Sequence, residues 1–120
     1  MNNITKVSDI TAQDVADYIR LTEVDTSDTN TLNNLINISK TFICQYTGRA
    51  ANELDNFQDF VIVVLILCQD MWDNRTLYVD NENLNKVVDT ILGMHSVNLL
   101  WVIILYLIPW LKMLVITIRK

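Results

Sequence analysis

Between Leu32 and Tyr46 the apolar side chains return every three or four residues: Leu32, Leu35, Ile36, Phe42, Ile43, Cys44 and Tyr46, with Ser39 among them. Asn33, Asn34, Asn37 and Lys40 fall on the other side. One apolar face held over some five turns is the mark of a helix with one side buried. The spacing predicts a helix over 28–47. Thr26, Ser27 or Asp28 can cap it, and Gly48 supplies the left-handed residue that ends many helices.

The same reading places three more helices. Thr11 with Asp14 three residues on resembles a capping box, and Val15, Tyr18 and Ile19 then share a face, which predicts a short helix over 11–21. From Phe60 to Cys68 nine apolar residues run without a break. A buried strand competes for that run, but the flanks carry the element past strand length, so a third helix is expected over 53–74, buried on most sides. Nine residues cannot span a bilayer. Leu77–Asn83 reads as a polar loop. Leu84, Val87, Val88, Ile91 and Leu92 predict a fourth helix over 84–94, weakening at Gly93. The expected core holds Leu35, Ile36, Phe42, Ile43, Phe60, Val64, Leu65, Leu67, Val88 and Ile91.

From Leu99 the pattern changes. The segment LLWVIILYLIPWLKMLVITIRK is almost wholly apolar and carries no acid. Residues 1–98 hold six Lys/Arg against fourteen Asp/Glu, net −8, and residues 99–120 add +3, giving −5. The chain thus divides into a helical body, 1–96, and an apolar C-terminal arm, 97–120. The expected class is all-α: a small four-helix body with an arm that docks as a helix as far as Ile108 or as an extended strand, since Pro109 interrupts a helix there.

Composition narrows the function. One domain fits 120 residues, and a body with no Pro and two Gly leaves little turn chemistry for hairpins. The acidic balance opposes a grip on nucleic-acid phosphates, which needs clustered Lys and Arg. Cys44 and Cys68 lie in apolar helical runs without a CxxC or Cys/His neighbour, so both are expected as free thiols. Together with an N-terminus, MNNITKVSDI, that lacks a signal-peptide layout, this points to the cytoplasm. The lone histidine, His95, is expected to pack or lie at the surface. Asp25 and Asp28 lack the glycine and closing glutamate of a calcium loop. There is no phosphate cradle, nucleophile elbow or paired metal-ligand motif. The expectation is no enzyme, no catalytic residue, no metal and no cofactor. Trp72 reads as an anchor closing the core or as a contact between subunits, since indole favours both.

The ordered segments ITAQDVADYIRL, ICQYTGR, QDMWDNR and NKVVDTILGMHSVNLL together resemble the head–tail connector (adaptor) proteins of long-tailed bacteriophages. The likeness covers roughly residues 4–100. Tyr46-Thr47-Gly48-Arg49 is similar to their tyrosine–x–glycine–arginine helix end, and Trp72 through Arg75 to their aromatic–x–asparagine–arginine exit from the central helix. The resemblance implies a ring of identical subunits, twelvefold like the portal it sits beneath, located in the virion neck after assembly in the host cytoplasm. Its implied partners are the portal protein and a stopper or tail-completion protein. DNA would pass through the channel unbound during ejection, and carboxylates on the channel wall would repel its phosphates. The apolar arm departs from the family pattern.

A second class remains: a small membrane-anchored protein whose segment Leu99–Ile118 spans the bilayer. Twenty residues make roughly 30 Å of helix, and Trp101, Tyr106 and Arg119-Lys120 suit the interfaces. Against it, Lys112 within the span costs about 2–3 kcal/mol, and basic residues at the far end would require the acidic body to be translocated. Docking on protein avoids both, with Trp101, Leu105 and Trp110 as the anchors beside Trp72.

Overall fold

In the computed structural model, which describes residues 3–97, the body is built from helices alone, with no strand among the described residues. The order is a 3-10 turn Val7–Asp9, α1 Ala12–Ile19, α2 Thr26–Thr47, a 3-10 segment Ala51–Asn56, α3 Asp59–Asn74 and α4 Lys86–His95. α3 lies at the centre and packs on α1, α2 and α4. The expected all-α class holds for the body. The arm from 98 onward lies outside the described residues.

The helix starts follow local chemistry. Thr11 and Asp14 form a reciprocal capping box, with the Asp14 N–H donating to Thr11 Oγ1 at 3.2 Å and the Thr11 N–H to Asp14 Oδ2 at 2.9 Å. Asp25, one residue ahead of the expected caps, starts α2 by accepting from the Asp28 N–H at 2.8 Å. Both aspartates are thus engaged in capping. α4 begins at Lys86, where Asn85 Oδ1 accepts from the Val87 N–H at 2.8 Å. It runs through Gly93 to His95.

Two helix ends depart from expectation. α1 stops at Ile19 because Arg20 takes a left-handed conformation (φ 68°) and the Leu21 N–H returns to the Ala16 carbonyl at 2.9 Å. The third helix does not begin at 53. Residues 51–56 form a 3-10 segment, and Phe57 is extended (φ −124°, ψ 105°) before α3 starts at Asp59. The extended backbone swings the Phe57 ring into an aromatic cluster, 5.3 Å from Phe60 and 4.4 Å from His95 between centroids, with the Arg49 guanidinium 4.5 Å above it. Those contacts outweigh one more turn of α-helix.

Eight of the ten expected core residues are buried; Phe42 and Ile91 are half-buried. Within Phe60–Cys68, Ile62 is exposed and Ile66 half-buried, while the other seven are inside. The core also takes in Val7 and Ile10, held there by a clasp in which the Ser8 N–H and Oγ donate to the two Asp55 oxygens at 2.9 and 2.8 Å. No helix among the described residues is long and apolar enough to cross a membrane.

Candidate interaction surface

The two sequence motifs at helix ends do distinct structural work. At the end of α2, three of the four motif residues tie it to its surroundings. The Tyr46 hydroxyl donates to Asp89 Oδ1 of α4 at 2.6 Å, and that bond, ahead of burial, raises the tyrosine's pKa. Gly48 takes the left-handed closing conformation (φ 74°). Arg49 donates through Nε to the His95 carbonyl at 2.7 Å and through Nη1 to Glu53 at 3.1 Å. His95 in turn meets Asp59 at 3.1 Å and packs edge-on against Phe60. Finally the Val97 N–H donates to the Thr47 carbonyl at 2.7 Å. The last described residue is therefore pinned to the C-terminal end of α2.

At the end of α3, Asn74 Nδ2 bonds back to the Asp70 carbonyl at 2.9 Å, and Arg75 closes the helix in the left-handed region (φ 57°). Trp72 is half-buried against the core. It also lines a depression of about 310 Å³ with Ser27, Asp28 and Thr31 of α2, Arg75 and Leu77. No α4 residue takes part in that depression. Both readings of Trp72 thus have a physical basis in one side chain, with part of the indole sealing the core and part facing a recess. The other three expected anchors, Trp101, Leu105 and Trp110, lie outside the described residues.

A second surface, an apolar one, sits on α4. Val88 and Leu92 point inward and are fully buried. Val87, Ile91 and Met94 follow a 4-3 spacing on another face, with Val87 52% and Met94 69% exposed. Asp89, bonded to α2, is 200° round the helix from Ile91 at 100° per residue, so this row faces away from α2. Ile62 is exposed on α3, the helix packed beside it. The nine-residue apolar run of α3 is largely enclosed by its own subunit.

A third feature is a trough of about 430 Å³ between α2 (Asn37, Ile38, Thr41, Phe42, Gln45) and Leu77, Tyr78 and Val79 of the α3–α4 loop. Leu77 is 64% and Tyr78 65% exposed. Sequence reading took this loop as polar and missed them; three apolar residues in a row within a loop were the signal.

The polar groups show the opposite character. Cys68 is buried, its thiol pushed up to about 11 by desolvation, and touches Ser39 at 3.5 Å. Cys44 is half-buried, and burial raises its pKa also. Among the described residues, no group of three or more His, Cys, Asp or Glu is placed to hold a metal ion. Burial, then the neighbouring Asp73, raises the Asp70 pKa at a depression it shares with Leu67, Asn74 and Asn85. Comparison with protein-family models, curated proteins and solved structures finds no match.

Proposed function

We propose that this chain is a structural subunit of a bacteriophage neck ring, joining the portal to the stopper or tail and leaving an unobstructed channel for the genome. The observation that carries the reading is the presence of two unlike surfaces on one small helical body. One is the apolar outward row of α4, Val87, Ile91 and Met94; the other is the recess beside Trp72, lined largely by polar groups (Ser27, Asp28, Thr31, Arg75) and formed without α4. A subunit that presents two different faces joins head-to-tail, and such contacts close into a ring when the rotation per step divides a full turn. Two copies of one self-complementary face would give only a dimer.

Two further features support it. The motif residues behind the family resemblance have structural purposes here: Gly48 closes α2, and Tyr46 and Arg49 fasten it to α4, the helix that carries one of the two faces. The acidic body, net −8 over residues 1–98, suits a channel wall that must not hold DNA.

The experiment is the native mass of the full chain, alone and with a portal-type ring. The proposal expects a discrete closed assembly near twelve times the 13.9 kDa subunit. A strict monomer at high concentration under both conditions refutes it. The apolar stretch Leu99–Ile118 keeps the membrane-anchored reading as the competitor. That reading expects the full chain to pellet with membranes, resist carbonate washing, and become soluble when residues 99–120 are deleted.

A further inference from the structure

We propose that the trough between α2 and the α3–α4 loop is the seat of the chain's own apolar segment Leu99–Ile108, which folds back along α2. The inference stands apart from the ring, because it concerns contacts within one subunit.

The first argument is where the chain leaves the body. The 2.7 Å bond from the Val97 N–H to the Thr47 carbonyl fixes the exit at the C-terminal end of α2. The trough begins two residues back along the same helix, at Gln45, and reaches Asn37. Measured along the helix axis at 1.5 Å per residue, its α2 wall begins about 3 Å and ends about 15 Å from that exit. Ser96 is extended (φ −69°, ψ 137°), so the chain has left the direction of α4 before it is pinned. One residue, Asn98, separates Val97 from Leu99.

The second argument is fit. Ten residues cover about 15 Å as a helix and about 33 Å as a strand, and either length spans the α2 wall. The sequence LLWVIILYLI has no charge, and its only polar side-chain groups are the Trp101 indole N–H and the Tyr106 hydroxyl. The lining of Ile38, Phe42, Leu77, Tyr78 and Val79 is apolar, with Asn37, Thr41 and Gln45 along the α2 side. Filling the trough also explains why a loop that joins two helices carries Leu77 and Tyr78 outward, where each loses about 1.5–3 kcal/mol of available burial.

The third argument is effective concentration. A ligand tethered by one residue to the end of the helix that bears its site sees it at millimolar levels or above, so its own segment occupies the trough ahead of any free partner. Trp101 and Leu105, four apart, are the expected anchors that lie within the segment.

The test follows the emission of Trp101 in the full chain carrying Trp72→Phe and Trp110→Phe, so that it is the sole indole. The proposal expects blue-shifted emission and slow quenching by acrylamide, both unchanged on dilution. Leu77→Asp and Tyr78→Asp, at exposed positions the fold tolerates, should bring a red shift and a several-fold rise in quenching with the helical circular dichroism intact. Asn34→Asp, also exposed but outside the trough, should change neither. Burial lost on dilution would mean that a second copy's segment fills the trough, and burial untouched by the two loop variants would place the segment elsewhere. Burial seen only after adding phosphatidylcholine vesicles would make it a membrane anchor. Each of these three results overturns the proposal.

Discussion

Replacing Arg49 with alanine should loosen the joint that holds the end of α4 and the exit of the C-terminal segment. Three interactions leave with the guanidinium. The Nε bond to the His95 carbonyl, 2.7 Å long and charge-assisted, is worth about 1.5–3 kcal/mol. The partly exposed pair with Glu53 at 3.1 Å adds about 0.3–0.5, and stacking over Phe57 at 4.5 Å about 0.5–1. These share one side chain and do not add fully, so the expected loss is about 2–3 kcal/mol. Arg49→Lys keeps the charge. It loses the planar fork that meets a carbonyl, a carboxylate and a ring at once, and should lose about 1 kcal/mol. Urea unfolding measures both at one fixed concentration, because any assembly adds to apparent stability. Hydrogen exchange locates the effect: the Val97 amide, bonded to Thr47, should open faster in Arg49→Ala than amides in mid-α3. A loss under about 0.5 kcal/mol, a lysine variant as stable as the parent, or unchanged Val97 exchange would refute the role given to Arg49.

Two further outcomes follow from local structure. Gly93 lies within α4, and a Cβ built there meets nothing within 4 Å, so Gly93→Ala should stabilise the chain by about 0.5–1 kcal/mol in thermal or urea unfolding. The hydrogen bonds from Ser8 hold the Asp55 pKa below its ordinary value. A carboxylate depressed in the folded state contributes stability above its unfolded pKa, about 3.9, and loses it as pH falls through the lower folded value. Unfolding followed from pH 6 downward should therefore show stability falling below about pH 4, with a shallower fall in Asp55→Asn.

Much of the body was legible where local chemistry and periodicity agree. Leu32, Leu35, Ile36 and Ile43 mark α2's inner face, Gly48 marks its end, and Thr11 with Asp14 marks the start of α1. The central run identified α3 as buried because no half-exposed helix could carry it. What escaped was set by tertiary contact. Nothing in the sequence around Phe57 announces a break, since neither Gly nor Pro is there; the ring is drawn to His95, Phe60 and Arg49 from 46 residues' span of chain. Arg20 and Arg75 end their helices in a conformation that sequence rules reserve for Gly or Asn. The clasp of Ser8 on Asp55 joins residues too far apart for any local rule.

The interaction surface was legible only in part. Trp72 stood out as an unusual residue at a helix end, and it does line a recess. The outward row of α4 was present in the same residues that announced the helix. Val88 and Ile91 were expected in the core, but a ten-residue helix cannot bury so wide an arc against a single neighbouring surface. Ile91 is half-buried for that reason. Phe42 is half-buried because it forms the floor of the trough rather than part of the core.

The central claim is that two different faces meet head-to-tail, and mixing two blocked variants tests it most directly. Val87→Asp puts a charge in the outward row of α4, and Ser27→Glu puts one at the rim of the Trp72 recess, in the first turn of α2 where the helix dipole favours an acid. Each variant has one intact face, so neither should close a ring alone. Mixed in equal amounts, the recess of the first and the α4 row of the second still fit. Native mass spectrometry should then show a one-to-one pair of the two chains and nothing larger. A homodimer of either variant alone, or no pairing in the mixture when the parent chain assembles, would contradict the account.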